Sequence, residues 1–203
     1  MKKLAIVGAS GHGKVIADIA KKVGYQEIVF LDDDRSINNC GPYPVVGTSQ
    51  DAKRIEADII VGIGNASIRQ RIQSNIGNAQ LITLIHPNAV IADDVKLGKG
   101  TVVMAGAVIN TGTEVGDGVI VNTCASIDHD CVIEDYVHVA VGSHLCGTVT
   151  VGKKTWIGAG ATVSNNVNIC SGCVIGAGAV VIHDITVTGT YIGVPAALHM
   201  DNR

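Results

Sequence analysis

Residues 127–151 read IDHDCVIEDYVHVAVGSHLCGTVTV, and an aliphatic residue returns at every sixth position of this stretch. The register continues without a break from residue 85 to residue 181. A six-residue period fits neither the turn of a helix, about 3.6 residues, nor the alternation of an isolated strand, and it is typical of a β-solenoid. The seventeen aliphatic positions are Ile85, Ile91, Leu97, Val103, Ile109, Val115, Val121, Ile127, Ile133, Val139, Leu145, Val151, Ile157, Val163, Ile169, Ile175 and Val181.

Small side chains stand two positions before most of these aliphatic residues, as Ala107, Ala125 and Ala161 do. Each hexad therefore predicts one short strand and one tight corner, and three hexads predict a triangular coil of about eighteen residues. The aliphatic side chains are expected to stack inside the coils. The small side chains are expected to fit the corners.

The composition agrees with a core of aliphatic side chains, because the 203 residues are 47% hydrophobic and only 3% aromatic. The net charge of −3 makes nucleic acid an unexpected partner. No apolar run of about eighteen residues and no signal-peptide pattern occur, so the sequence predicts no membrane span and a cytoplasmic protein. Cys170 and Cys173 form the one CxxC motif, at repeat positions that favour packing over redox or zinc chemistry.

The N-terminal residues have the pattern of a nucleotide-binding α/β unit. A buried strand over Lys3–Val7 leads into a glycine loop at residues 8–13 and then into a helix, and a second strand over Glu27–Leu31 ends at Asp32. Glycines at such a turn let backbone N–H groups approach a phosphate at a helix N-terminus. A strand–helix turn without a ligand is the alternative for this loop.

Residues 1–84 are too few for a full dinucleotide domain, and the loop reads Gly-x-x-Gly-x-Gly rather than the dinucleotide fingerprint. A sugar nucleotide therefore fits better than NAD. The sequence predicts three parts, namely a Rossmann-like domain over residues 1–84, a solenoid over 85–188 and a cap over 189–203. His86-Pro87 marks the first boundary, because a residue before proline is extended.

Histidine is the expected general base, since its ordinary pKa lies near neutral pH. His129 lies near a predicted corner, and Asp130 could orient its imidazole. His138 and His144 each precede an inward aliphatic residue, so both side chains should point outward. His129 and His138 are nine residues apart, which is half a coil. They should face opposite sides of one prism and share a site only across an interface between prisms.

Several motifs resemble known families. The Leu97-Gly98 and Val115-Gly116 pairs are similar to the repeats of left-handed parallel β-helix acyltransferases, which form trimers. The glycine loop, the Leu31-Asp32-Asp33 strand end, Ile63-Gly64-Asn65 and the run at residues 127–133 resemble bacterial sugar O/N-acyltransferases. Within that family, the resemblance is to nucleotide-sugar N-acetyltransferases of the bacillosamine type and to the sialic acid O-acetyltransferase group.

The resemblance implies a direct transfer from acetyl-CoA, without a metal, to the amine of a nucleotide-linked amino-deoxy sugar. In this scheme His129 removes the proton of the amine and Asp130 raises the basicity of the imidazole. Asp130 is one methylene shorter than the glutamate that these enzymes often carry. The residues implied to contact acetyl-CoA are His138, Gly147, Ala159 and Ala177. The residues implied to bind the sugar nucleotide, with UDP as the expected nucleotide, are Gly11, His12, Gly13, Asp32, Asp33 and Asn65.

Other functions stay open on the sequence alone. The same site could acetylate a hydroxyl of a sialic acid or of another sugar. A γ-class carbonic anhydrase is also a left-handed β-helix trimer, but its three zinc-binding histidines would here have to come from more than one prism. A non-enzymatic hexapeptide scaffold would bind no acetyl-CoA.

Overall fold

The computed structural model describes residues 2–76 and 80–199. The elements of the N-terminal α/β region are β1 Lys3–Val7, α1 Gly11–Lys22, β2 Glu27–Leu31, β3 Asn39–Cys40, β4 Tyr43–Gly47, β5 Asp58–Val61 and α2 Ala66–Ile76. The five strands form one sheet in the order β3-β4-β2-β1-β5, in which only the β3–β4 pairing is antiparallel. Helix α1 connects β1 to β2, a short 3-10 helix, Ser49–Lys53, connects β4 to β5, and α2 follows β5. The strands predicted at Lys3–Val7 and Glu27–Leu31 are confirmed.

The glycine loop between β1 and α1 is closely packed. Gly8 has a φ of 111°, which non-glycine residues rarely adopt. A Cβ on Gly13 would overlap the carbonyl oxygen of Gly8. Glycine at these two positions therefore lets helix α1 begin directly against the end of β1.

Two-residue strands at six-residue intervals form a parallel β-solenoid after residue 84, as the repeat predicts. Paired strands lie eighteen residues apart, as in the register Ile109↔Ile127 and Ile127↔Leu145. The strands form three faces. Face 1 contains β7 Val90–Ile91, β10 Val108–Ile109, β13 Ser126–Ile127, β16 His144–Leu145, β19 Thr162–Val163 and β22 Val180–Val181. Face 2 contains β8 Lys96–Leu97, β11 Glu114–Val115, β14 Val132–Ile133, β17 Thr150–Val151 and β20 Asn168–Ile169. Face 3 contains β6 Leu84–Ile85, β9 Val102–Val103, β12 Ile120–Val121, β15 His138–Val139, β18 Trp156–Ile157 and β21 Val174–Ile175, and ends with β23 Thr190–Ile192 and β24 Ala197–Leu198.

The repeated aliphatic residues fill the solenoid interior from Val103 to Val181, where each is at most 4% exposed. The first coil is different. Ile85 is 37% exposed, and Ile91 and Leu97 are only partly buried. No preceding coil covers this end of the stack, so its inward side chains keep contact with solvent.

The α/β region packs on the outer surface of face 3. Leu84, Val102 and Ile120 point away from the solenoid interior and join the buried cluster of the α/β region. Arg69 of α2 is fully buried and donates hydrogen bonds to the carbonyl oxygens of Gly118 and Tyr136 at two solenoid corners. These contacts fix the strand tips of the α/β region beside face 3. No helix within residues 2–76 and 80–199 is long and apolar enough to cross a membrane.

Candidate active site

His129 and Asp130 form a hydrogen-bonded pair at the corner between faces 1 and 2. The distance between His129 Nδ1 and Asp130 Oδ2 is 2.8 Å, and both side chains are exposed. Asp130 has a φ of 56°, in the left-handed region that the solenoid corner requires and that aspartate tolerates. Asp130 accepts a hydrogen bond from Nδ1 of His129, so Nδ1 carries the ring proton. The Nε2 atom of His129 is therefore available to accept a proton.

Two carboxylates raise the pKa of His129 above its ordinary value. The larger cause is the hydrogen bond that Asp130 accepts from His129 Nδ1, followed by the negative charge of Asp128. Asp128 is itself held by the side-chain amide of Asn110 at 2.8 Å and by the backbone N–H of His129 at 2.9 Å. The sequence analysis did not identify Asn110. Its position one coil before Asp128 indicates that the two side chains are neighbours on adjacent coils.

Gly147 lies directly beside the imidazole of His129. A Cβ at this position would lie 2.5 Å from His129 Nε2. Gly147 follows face 1 at the same edge of the prism as His129, whereas Ala159 and Ala177 are exposed at the edge between faces 3 and 1. Within one chain, the residues predicted to contact acetyl-CoA therefore do not lie along a single edge of the prism.

His138 points out of the solenoid interior, as predicted, but it is not a surface residue. It is 8% exposed because the α/β region covers it, whereas His144 is exposed. The ring centroid of His138 lies 6.3 Å from that of His12 and 4.9 Å from that of Trp156. Its Nε2 atom is 3.1 Å from Nδ2 of Asn122. The sequence interpretation did not bring His12 and His138 together, because their contact depends on how the two regions dock.

Burial keeps both of these histidines neutral. It lowers the pKa of His12 to about 4, with a further contribution from the charge of Arg69. Burial likewise lowers the pKa of His138 to about 3, with smaller contributions from His12 and Arg69. Neither His12 Nε2 nor His138 Nδ1 has a hydrogen-bond partner among the described residues. Both rings are therefore neutral at pH 7 and retain an unused polar atom.

A cavity of about 400 Å³ lies between the α/β region and face 3, and we call it the junction cavity. The start of α2 forms one wall and the solenoid forms the other. The lining residues are Gly64, Asn65, Ala66, Ser67, Tyr136, His138, Lys154, Thr155, Trp156, Gly172 and Val174. The cavity therefore brings Asn65 and His138 together, while His129 lies at the edge between the other two faces.

Asp32, Asp33 and Asn65 each hold part of the strand-tip loops. Asp32 accepts a hydrogen bond of 2.6 Å from the backbone N–H of Ala9, in the glycine loop that continues into Gly11, His12 and Gly13. Asp33 accepts hydrogen bonds from the backbone N–H and the hydroxyl of Ser49. The side-chain oxygen of Asn65 accepts a hydrogen bond from the backbone N–H of Ile68 and so caps the first turn of α2. A smaller cavity of about 120 Å³ is lined by Gly8, Asp32, Asp33 and other residues of these strand tips. The predicted substrate-binding residues therefore cluster at one edge of the sheet.

Metal binding within one chain has no support in the described residues. No group of three His, Cys, Asp or Glu side chains in residues 2–76 and 80–199 is placed to hold an ion. The carbonic anhydrase interpretation would need ligands from neighbouring chains.

Comparison with known proteins gives consistent matches. Residues 3–76 match the PglD N-terminal domain family. The acetyltransferase domain of PglB from Neisseria gonorrhoeae FA1090, solved in complex with acetyl coenzyme A, is 42% identical with a TM-score of 0.94, over 98% of this chain and 99% of that chain. PerB from Caulobacter crescentus, solved with CoA and GDP-perosamine, is 33% identical with a TM-score of 0.93, over 98% of each chain.

Curated sequences match over a shorter length. UDP-N-acetylbacillosamine N-acetyltransferase of Bacillus subtilis (strain 168) is 34% identical over 113 residues, which is 52% of each protein. GDP-perosamine N-acetyltransferase of Escherichia coli O157:H7 is 31% identical over 113 residues. The chain spans about half the length of these curated relatives.

An α/β region docked on a parallel β-solenoid is also the architecture of the matched acetyltransferases, so the chain belongs to the class of β-solenoid acyltransferases. Two solved acetyltransferase structures match nearly the full chain and identify a narrower family within this class. The chain belongs to the family of nucleotide-sugar N-acetyltransferases of the bacillosamine type, which confirms the resemblance found in the sequence.

Proposed function

We propose that the protein transfers the acetyl group of acetyl-CoA to the amine of a nucleotide-linked amino-deoxy sugar, with His129 as general base. The observation that carries the proposal is the hydrogen bond between His129 Nδ1 and Asp130. It leaves the Nε2 atom of His129, which lies beside Gly147, available to accept a proton. The relatives solved with acetyl coenzyme A, and with CoA and GDP-perosamine, support both substrates.

The reaction needs positioning and one proton transfer. The sugar amine attacks the thioester carbonyl carbon while His129 Nε2 takes a proton from the nitrogen, and the carbon–sulfur bond then breaks. The departing CoA thiolate takes the proton back from the imidazolium. No covalent bond to the protein is required, and Asp130 stabilises the imidazolium through Nδ1.

The active site is proposed to lie between subunits of a homotrimer. His129 stands at the edge between faces 1 and 2, whereas His138 and the junction cavity stand on face 3. A base from one copy would then meet the sugar held by the next copy. Ala159 and Ala177 leave an edge of small side chains on which the pantetheine of acetyl-CoA could lie.

The sugar nucleotide, proposed to be UDP-linked, is assigned to the strand tips of the α/β region. Gly11, His12 and Gly13 at the start of α1, together with Asp32, Asp33 and Asn65, would bind it. We also propose that residues 1–84, 85–188 and 189–203 form three domains, with β6 at the first boundary, and that the protein is cytoplasmic. A panel of UDP-, GDP- and dTDP-linked amino sugars, incubated with acetyl-CoA while released thiol is followed, tests the function. Release of thiol only when sialic acid is supplied as the acceptor would favour the alternative function, a sialic acid O-acetyltransferase.

Replacing Asp32 with alanine is expected to raise the KM for the sugar nucleotide about tenfold or more and to leave the KM for acetyl-CoA unchanged. The carboxylate anchors the glycine loop through Ala9 N, and a hydrogen bond to a charged group contributes roughly 1.5–3 kcal/mol. Steady-state kinetics with each substrate varied in turn measures both constants. Asp18→Ala, an exposed aspartate on α1, is the matched control. A defect confined to acetyl-CoA would contradict the assignment of the domain.

The pH profile tests the pairing of His129 with Asp130. A general base must be neutral, so kcat/KM should rise with pH through a pKa above the ordinary histidine value. Asp130→Asn removes the largest cause of that shift and keeps a side chain that tolerates positive φ. The rising limb should therefore move to lower pH while the plateau rate falls. Asp93→Asn, at an exposed corner, should leave the profile unchanged, and an unmoved limb in Asp130→Asn would contradict the pairing.

A further inference from the structure

Two cysteines of the solenoid are in contact at a corner between faces 2 and 3. Cys170 follows β20 and Cys173 precedes β21, both are free thiols, and their Sγ atoms are 3.5 Å apart. Cys173 is fully buried at a small inward repeat position, as packing predicts, whereas Cys170 is only half-buried. Cys170 is therefore the cysteine that a dissolved molecule can reach, and a second thiol lies directly behind it.

The surroundings of Cys173 fix its position. Its backbone N–H donates to Thr155 Oγ1 at 3.2 Å, and its carbonyl accepts a hydrogen bond from the backbone N–H of Trp156 at 2.9 Å. Its Sγ atom lies 3.8 Å from the carbonyl oxygen of Val187. A disulfide requires the two sulfurs to approach to about 2.05 Å. Because Cys173 is enclosed, the side chain of Cys170 and the corner between the two cysteines have to make this approach.

This corner also forms part of the wall of the junction cavity. Gly172, between the two cysteines, has a φ of 74° and lines that cavity together with Trp156 and Val174. The surroundings of Gly172 are open, since a Cβ there would come no closer than 3.4 Å to another residue, at Thr188. The corner therefore has room to move, and a movement of it changes one wall of the cavity.

We propose that Cys170 and Cys173 form a reversible disulfide by exchange with a low-molecular-weight disulfide, and that its formation shifts the Gly172 wall of the junction cavity. The Cys170 thiolate attacks one sulfur of the small disulfide, and the other half leaves as a thiolate that takes up a proton. Cys173 then loses its proton to solvent, and its sulfur attacks Cys170 Sγ and releases the second half in the same way. Two electrons pass from the protein thiols to the small disulfide, which becomes two thiols.

The second step should depend on pH. Burial raises the pKa of the Cys173 thiol to about 11, and its hydrogen bond with Cys170 adds to the shift. Cys173 is therefore protonated at pH 7, and only its thiolate can attack. Closure of the disulfide is expected to become faster as the pH rises from 7 to 9.

The exchange is tested without substrates. Reduced protein is incubated in glutathione buffers with an increasing oxidised fraction, quenched with acid and measured by mass spectrometry. The wild type should become lighter by two hydrogen atoms, with the disulfide in a peptide that contains residues 170–173, and dithiothreitol should reverse the change. Cys170→Ser and Cys173→Ala should not form it, and alanine is native at the same repeat position in Ala161. Cys124→Ser removes an exposed thiol at another corner and should leave the disulfide intact.

The movement of the wall has a readout that is independent of turnover. Trp156 is the only tryptophan of the chain, lines the junction cavity and is hydrogen-bonded to Cys173 through its backbone. Oxidation should change the tryptophan emission of the wild type and of Cys124→Ser. The emission of Cys170→Ser should stay the same under the same buffers.

A change in substrate affinity follows, and this step rests on the proposed function. Drawing the Gly172 corner towards the solenoid should weaken contacts across the cavity. We expect oxidation to raise the KM for the sugar nucleotide about threefold or more and to leave the KM for acetyl-CoA unchanged, since small misplacements at a site are costly. Cys170→Ser should keep the reduced wild-type constants in both buffers.

Three results would overturn the inference while leaving the proposed function intact. They are glutathione adducts without the internal disulfide, a disulfide that leaves the tryptophan emission unchanged, and equal KM values for the sugar nucleotide in the two forms. A reduced wild type that releases no CoA with any nucleotide amino sugar would instead remove the proposed function. The mass and emission measurements would then still decide whether the pair exchanges and whether the wall moves.

Discussion

His129→Ala is expected to lower kcat by about 10²-fold or more, with the affinity for acetyl-CoA nearly intact. The imidazole Nε2 atom is the proton acceptor of the proposed reaction, and alanine leaves no group at that corner to replace it. The thioester needs no contact with this base to bind. Single-turnover rates and an independent binding titration with acetyl-CoA separate the two effects.

His144→Ala provides the matched control for this experiment. His144 is exposed on face 1, and its Nδ1 atom lies 2.8 Å from the hydroxyl oxygen of Ser126. Its replacement should leave kcat within about twofold of the wild type, because the side chain is exposed and has no part in the proposed proton transfer. Gly147→Ala offers a second route, since its Cβ would displace the imidazole without removing it. Unchanged turnover in His129→Ala would remove this residue from the mechanism.

The solenoid part of the fold could be predicted because its information is local and repeated. Each aliphatic residue fixes the inward register of its own hexad, and three hexads fix the pairing of Ile127 with Leu145. The same arithmetic separates His129 from His138 by half a coil. The corner conformation follows as well, because the third residue after each aliphatic position from Leu97 to Ile175, such as Asp130, adopts a positive φ.

The contacts between the two regions could not be predicted from that periodicity. The burial of His138 and its approach to His12 depend on where the α/β region docks on face 3, and no repeat encodes that position. The exposure of Ile85 has a related cause, because the repeat gives every aliphatic position the same inward register and does not show whether the end of the first coil is covered. Arg69 was also missed. The sequence does contain an indication that Arg69 is buried, because Arg69 and Gln73 stand one helical turn apart and share a face of α2 with Ile72.

Arg69→Met is expected to lower the free energy of unfolding by about 3 kcal/mol or more. The guanidinium donates hydrogen bonds of 2.7–2.8 Å to the carbonyls of Ile63, Gly64, Gly118 and Tyr136, two in each region. Methionine fills most of the volume but leaves these carbonyls without their donor, and an unsatisfied buried acceptor costs about 1–3 kcal/mol. Urea denaturation at one fixed protein concentration measures the change, since assembly would otherwise contribute.

Arg71→Met separates the buried role from the general loss of a charge. Arg71 belongs to the same helix and is exposed, so its replacement should change the free energy of unfolding by less than about 0.5 kcal/mol. The Arg69 variant should also bind the sugar nucleotide more weakly, because Gly64 lines the junction cavity and loses its link to the solenoid. Equal stability of the two variants would show that the docking of the α/β region does not depend on Arg69. The apolar contacts of Leu84, Val102 and Ile120 would then have to hold the two regions together by themselves.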